Sequence, residues 1–270
     1  MTTGRFVAVD LGATSGRVML AEVGPGSIEM HSLHRFAADP VHLWDGHRIA
    51  MHWDLPGLFA EVCVGLAEAG RMAPDLASVG VDSWAVDYGL LRAGKLLGLP
   101  YKYRDARCGR GVDTVHATLS QDRVFARNGL QFLAFNAMFQ LAADRAEGLL
   151  DLADAALLVP DLIGYWLTGR MSTERTNAST TGLLGIDGRW DDDLAAMLGL
   201  PDALFPALTE PGTELGSVLP DLADRAAYVS CGTWALVGVE LGAPMVTEEA
   251  RTANFTNEVG GRVESASCAT

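Results

Sequence analysis

Phe6-Val-Ala-Val9 runs apolar into Asp10, a turn of small and hydroxyl residues follows through Gly16, and Arg17 to Val23 is apolar again. Strand, turn and strand in that order predict a hairpin. Gly24-Pro-Gly26 is strong turn punctuation, and Ser27 to Phe36 alternates apolar and polar positions well enough for a third strand. A loop holding histidines and tryptophans comes next. Leu58, Val62, Leu66 and Ala69 then recur at helical spacing between Pro56 and Gly70, and Pro near a helix start fits because the N–H it lacks has no intrahelical partner there. The predicted opening order is β-β-β-α.

Leu76 to Asp82 predicts a buried strand, Val86 to Leu91 another, and Ala93-Gly-Lys95 the turn after it. From Asp113 to Leu198 the pattern is mainly helical, with apolar stripes in Val124 to Arg127, Phe135 to Ala146 and Leu162 to Leu167. Leu183-Leu-Gly-Ile186 predicts a short strand, and Pro201 to Pro220, with four prolines, a linker or surface loop. Tyr228 to Val239 resumes as a strand-like run, whose partners are expected in a second domain. No internal repeat or low-complexity tract interrupts this order.

Composition narrows the function. A chain of 270 residues with 49% hydrophobic and 20% charged residues has the balance of a folded protein with one or two domains. Its 34 acidic against 20 basic residues give a net charge of -14, which argues against nucleic acid or an anionic membrane as the main partner. The apolar stretches at Ala155 to Pro160 and Leu162 to Leu167 are split by Asp161 and fall far short of the ~20 residues that span a bilayer. The N-terminal run meets Asp10 too soon for a signal peptide, so a cytoplasmic protein is expected. Cys63, Cys108, Cys231 and Cys268 form no Cys-x-x-Cys pair, and the six histidines show no metal-ligand spacing; free, buried thiols are expected.

Two stretches carry candidate chemistry. Asp10-Leu-Gly-Ala-Thr-Ser-Gly-Arg17 places a carboxylate at the end of a buried strand beside a turn whose backbone N–H groups and hydroxyls can face phosphate oxygens. Asp10 can then hold Mg²⁺ through water, and Arg17 can add a charge-assisted contact to phosphate. An ordinary hairpin with an Asp at its corner fits the same residues. Gly80-Val-Asp-Ser-Trp-Ala-Val-Asp87 sets Asp82, Trp84 and Asp87 where open α/β sheets present ligand-binding groups, although a core Trp flanked by turn aspartates is an equal reading. Tyr103-Arg-Asp-Ala-Arg107 is expected to be a surface salt-bridge cluster. No Walker loop, Gly-x-Gly-x-x-Gly, Gly-x-Ser-x-Gly or His-Glu-x-x-His is present.

Asp10 to Arg17, the β-β-β-α opening, Gly80 to Asp87, Pro100 to Arg107, Asn128 to Asn136, Pro160-Asp161, Thr176 to Thr181 and Ser230-Cys-Gly-Thr-Trp-Ala235 occur in the order found in the rhamnulokinase branch of the FGGY sugar kinases. The chain resembles that family up to about Glu258. The resemblance implies an α/β fold, an actin-like (RNase H-like) ATPase domain with a fragment of a second such domain. It implies ATP-dependent phosphorylation of the 1-hydroxyl of L-rhamnulose in rhamnose catabolism, with the sugar held in a cleft. Carried over residue by residue, Ala13, Thr14, Ser15, Gly16 and Arg17 would contact ATP phosphates, Asp10 would sit at Mg²⁺, and Thr233 would face nucleotide. Ala85, where the family commonly has Gly, would contact the sugar, with Trp84, Phe135 and Asn136 nearby.

The sequence departs from that family in two places. The family's His-Asp-Thr-Ala-Ser-like segment, whose Asp is the general base, is missing: Gly216-Ser-Val-Leu-Pro220 runs almost directly into Asp221 and Asp224. After Glu258 the match to the family's long second domain stops, and an internally deleted, C-terminally truncated kinase is expected. The expected organisation is therefore a sugar kinase domain at 1–210, a linker at 211–224 that lacks the family segment, and a partial nucleotide-binding domain at 225–270. No catalytic base is assigned. A catalytically silent, sugar-binding remnant of such a kinase is the alternative to an active enzyme.

Overall fold

The computed structural model describes residues 4–219, 222 and 229–230. Strand β1 (Gly4–Leu11) turns into β2 (Ser15–Gly24), which turns into β3 (Ser27–Ala37), all antiparallel. A short hairpin of β4 (Pro40–Trp44) and β5 (Ile49–Trp53) follows, and then helix α1 (Leu55–Met72) leads into β6 (Ser78–Ser83), which runs parallel to β1. The three antiparallel strands and the helix are as the sequence predicts, but a two-stranded hairpin comes between them. The hairpin stands where a loop was expected, because His42, Leu43 and Trp44 lie on exposed positions and the buried His52 is polar, so neither strand shows an apolar alternation.

Alternation builds the sheet. Val7, Val9 and Leu11 of β1 and Val79 and Val81 of β6 point into one core, and α1 lays Leu55, Leu58, Val62, Leu66 and Ala69 on them. Each of these Val and Leu side chains contributes about 1.5–3 kcal/mol of transfer free energy. Asp54 caps the helix by accepting from the Gly57 N–H at 3.1 Å, which frees Pro56 to occupy the first turn. Gly65 lets the helix approach the sheet: a Cβ there would lie 2.4 Å from Val18 Cγ2.

The second half of the described chain builds a smaller layer. Strands β7 (Tyr88–Arg92), β8 (Lys95–Leu96) and, after helices α2 (Arg107–His116), α3 (Gln121–Asn128) and α4 (Ala137–Ala146), β9 (Ala155–Leu158) form a three-stranded sheet. Its core gathers Tyr88, Val115, Leu119, Met138, Phe139, Leu141 and Leu158. Helix α5 (Val159–Thr168) packs across β6 and β7, and β10 (Thr173–Glu174), α6 (Arg175–Ala178), α7 (Asp192–Met197) and β11 (Leu208–Thr209) follow.

The structure differs from the sequence reading in three further places. Leu183 to Ile186 forms no strand; Leu184 makes one isolated bridge to Trp190. The proline-rich stretch contributes β11 and β12 (Glu214–Gly216), because its prolines fall outside both. Strand β13 (Val229–Ser230) lies between β6 and β12, giving a six-stranded sheet in the order β12-β13-β6-β1-β2-β3. The strand expected to find its partners in a second domain thus has them, at 229–230, in the first sheet. Among the described residues Cys63 and Cys108 form no disulfide, and no helix is long and apolar enough to cross a membrane.

Candidate functional site

The parallel neighbours β1 and β6 end together, with Asp10 opposite Asp82 and Leu11 opposite Ser83. Alternation puts both carboxylates on the face away from the α1 core. Asp10 accepts from Arg17 Nε at 2.7 Å, and these two residues face each other across the β1–β2 ladder. Burial pushes the Asp82 carboxyl up to about 6, with the nearby negative charges of Asp10 and Glu174 adding to it. Two carboxylates crowded at adjacent strand ends suit a hydrated divalent cation, which would relieve their repulsion. Among the described residues no group of three or more His, Cys, Asp or Glu side chains converges at a common point.

Between the two strands the chain makes a tight corner. The Gly12 N–H donates to the Ser15 carbonyl at 3.0 Å, and the Thr14 carbonyl accepts from the Ala38 N–H at 3.1 Å. Thr14 and Arg17 are exposed, Ala13 and Ser15 half-buried. Gly16 has a steric reason: a Cβ there would stand 2.3 Å from the Phe36 ring. The corner is thus a shallow cradle with its backbone close to the surface, the feature that a phosphate-binding turn needs.

Beside the corner lies an aromatic wall. The Trp84 N–H donates to the Leu11 carbonyl at 3.1 Å, tying the end of β1 to the segment after β6. The Trp84 ring stacks on Trp53, centroids 3.9 Å apart, and Tyr103 and Phe135 continue the wall at 5.1 Å from each other. Trp84 Nε1 is buried and has no acceptor. An orphaned buried donor costs about 1–3 kcal/mol, and a ligand hydroxyl would satisfy it. Ala85 is half-buried at this wall, and Val86 beside it takes φ of 67°, a strained conformation for a β-branched residue.

Asp87 explains the strain. Its side chain is fully buried and accepts from Trp53 Nε1 at 2.5 Å, Gln140 Nε2 at 2.9 Å and the Tyr103 N–H at 3.1 Å. Burial pushes its carboxyl up to about 6 against those three hydrogen bonds. Asp87 therefore positions the wall from behind and follows the structural reading of Gly80 to Asp87, while Asp82 stands beside Asp10 at the strand ends. Asn136 is likewise engaged: it accepts from the Leu133 N–H and donates to the Thr180 carbonyl, both at 3.1 Å. Phe135, next to it, is half-buried.

Tyr103 to Arg107 is not a surface cluster. Asp105 is buried under a bidentate contact from Arg48 and accepts from the Met51 N–H, and Arg107 is buried against Asp144 and the Tyr101 ring. This segment must hold Tyr103 against the wall, so its charges are paired inside. Lys102 lies within the Pro100 to Arg107 stretch that matches the family, but nothing in that stretch predicts a role for it. Trp53 was missed because it sits in the segment read as a loop. Thr233, Asp221 and Asp224 lie outside the described residues.

The profile of the N-terminal domain of the FGGY family of carbohydrate kinases matches residues 6–230. The chain belongs to the FGGY family. Similar curated proteins include the rhamnulokinases of Bacillus subtilis, 35% identical, and of Yersinia pestis, 38% identical, each over 94% of this chain. The chain spans 58% of the length of both. The alignment with the Bacillus protein runs over 286 positions, more than the 270 residues of this chain, so some of its positions have no counterpart here.

Two solved structures have the same fold: a gluconate kinase from Lactobacillus acidophilus and a xylulose kinase from Rhodospirillum rubrum. The first superposes with a TM-score of 0.73 at 15% identity over 86% of this chain and 48% of its own. The second gives 0.72 at 20% identity over 85% and 49%. The α/β, actin-like ATPase fold expected of an FGGY domain is the fold of this chain.

Proposed function

We propose that this FGGY domain binds a ketose and the phosphates of Mg²⁺–ATP, and that it serves ATP-dependent phosphorylation of L-rhamnulose at the 1-hydroxyl. The observation that carries the reading is the hydrogen bond from the Trp84 N–H to the Leu11 carbonyl, which fixes an apolar, hydroxyl-hungry wall directly beside the Asp10–Arg17 corner. A sugar presents flat C–H faces to aromatic rings and hydroxyls to donors such as Trp84 Nε1. The corner offers Ala13 to Arg17 to phosphate, and Asp10 with Asp82 would hold the metal.

Mg²⁺–ATP supplies the phosphoryl group when bound. The chain's own residues then do three things: Arg17 and the corner N–H groups orient the phosphates, Trp84, Ala85 and Phe135 orient the sugar, and Asp87 locks the wall through Trp53 and Tyr103. Positioning of this kind accounts for most of phosphoryl-transfer catalysis.

A second reading, a sugar-binding domain without catalysis, is favoured by one observation: the family's base-bearing segment has no counterpart between Gly216 and Tyr228. Loss of a general base typically costs about 10² to 10⁴ in rate. ADP release by the purified chain with Mg²⁺, ATP and L-rhamnulose separates the two. Sugar-dependent release that disappears in Asp10→Asn supports the kinase; sugar binding by calorimetry with no release above the no-sugar control supports the silent domain.

A further inference from the structure

The chain contains 18 arginines and only two lysines, Lys95 and Lys102. Lys102 is 6% exposed, yet no ion pair holds it among the described residues. Its Nζ donates to the Ala13 carbonyl at 3.2 Å and stands 3.5 Å over the Trp53 ring centroid, with the Tyr103 ring 5.7 Å away. Burial lowers its basicity, Asp87 and Asp39 pull the other way, and Arg104 adds to the lowering.

A buried cation without a carboxylate is costly, and one carbonyl with one aromatic face is thin compensation for an ammonium that carries three N–H donors. Both groups that Lys102 does touch belong to the candidate site: Ala13 opens the phosphate corner, and Trp53 backs the sugar wall. An anion placed between corner and wall would complete its coordination.

We propose that Lys102 is a phosphate-binding residue on the sugar side of the corner, donating to a phosphoryl oxygen of the bound polyphosphate where that group faces the sugar. The proposal rests on the kinase reading for the identity of the polyphosphate, and on the geometry alone for the anion. Lys is suited to the place because a compact ammonium fits between a backbone carbonyl and an indole face, where a planar guanidinium would need more room.

The test uses the full chain and inorganic tripolyphosphate with Mg²⁺, a probe that needs no adenine pocket, beside L-rhamnulose as a second probe. Affinities are read by titration calorimetry in wild type, Lys102→Met and Lys102→Arg, with thermal unfolding as the check on folding. Loss of one charge-assisted hydrogen bond weakens tripolyphosphate binding by about tenfold to a hundredfold in Lys102→Met. The expected result is that loss, with L-rhamnulose affinity within about threefold of wild type and tripolyphosphate bound more tightly by Lys102→Arg, which keeps the charge, than by Lys102→Met.

A structural tie to Ala13 would lower the melting temperature of Lys102→Met without this selective loss. Tripolyphosphate affinity unchanged within about twofold in Lys102→Met, or no tripolyphosphate binding by wild type, overturns the proposal. If Lys102→Met does not fold, Lys102→Gln, which keeps N–H donors without charge, is held to the same criterion. Lys102-dependent tripolyphosphate binding in a chain that takes no sugar would uphold this assignment while refuting the sugar kinase.

Discussion

Trp53→Phe tests whether Asp87 holds the aromatic wall as a buried, hydrogen-bonded acid. Phe keeps most of the stack on Trp84 but removes the Nε1 donor that reaches Asp87 at 2.5 Å. The Asp87 carboxyl, raised to about 6 by burial from an ordinary value of 3.8, favours the folded state below pH 3.8, and that contribution is lost as pH rises through 6. A rise of that size corresponds to about 3 kcal/mol. Removing the indole donor takes away a bond that favours the ionised form, so the carboxyl titrates still higher and the variant suffers most at neutral pH.

At pH 7.5 the lost bond is charge-assisted and costs about 1.5–3 kcal/mol, with roughly 1 kcal/mol more for the smaller ring. At pH 5 the acid is already protonated, and the same bond is worth about 0.5–1.5 kcal/mol. Urea unfolding followed by far-ultraviolet circular dichroism, which does not depend on the deleted fluorophore, should give a loss of about 3 kcal/mol at pH 7.5 and about 2 kcal/mol at pH 5. Equal losses at the two pH values, or a larger one at pH 5, would refute the account of Asp87.

Other substitutions probe the frame around the site. Gly16→Ala should force the Phe36 ring away from the phosphate corner and cost about 1–3 kcal/mol, seen as a fall of several degrees in thermal unfolding; Gly16→Ala with Phe36→Leu should recover part of it. Gly111→Ala places a Cβ 1.8 Å from the Phe139 carbonyl oxygen, so α2 and α4 must separate and soluble yield should collapse; a soluble variant with unchanged melting would contradict that packing. Arg107→Met strands the buried Asp144 carboxylate and should cost about 3–5 kcal/mol in urea unfolding, with part of the loss restored by adding Asp144→Leu.

Strong local patterns made much of the fold legible. The alternation of Val7, Val9 and Leu11 and the helical spacing of Leu58, Val62, Leu66 and Ala69 report burial directly, and burial is what the structure confirms at each of them. The β4–β5 hairpin escaped because its outer residues, His42, Leu43 and Trp44, are exposed and give no two-period signal. The acids divided by depth, which sequence does not encode: Asp82 stops at a strand end, while Asp87, five residues on, turns inward to Trp53 and Gln140. Arg107 looked like a surface charge because its partner Asp144 lies 37 residues away on another helix.

The family's ordered motifs pointed to Asp10, Arg17 and Trp84, and the structure brings these to one end of one sheet. Trp53 and Lys102 reach the same place only through the fold: the β4–β5 hairpin delivers the indole, and the segment before α2 delivers the ammonium. No spacing rule connects residues that meet by tertiary contact alone.

The most direct test of the central claim is mass spectrometry of the sugar after incubation of the purified chain with Mg²⁺, ATP and L-rhamnulose. The account predicts a ketose monophosphate that forms with wild type and not with Asp10→Asn. Sugar that binds to the wall and yet returns unphosphorylated from wild type, at every enzyme concentration that calorimetry shows to be saturated, would contradict it.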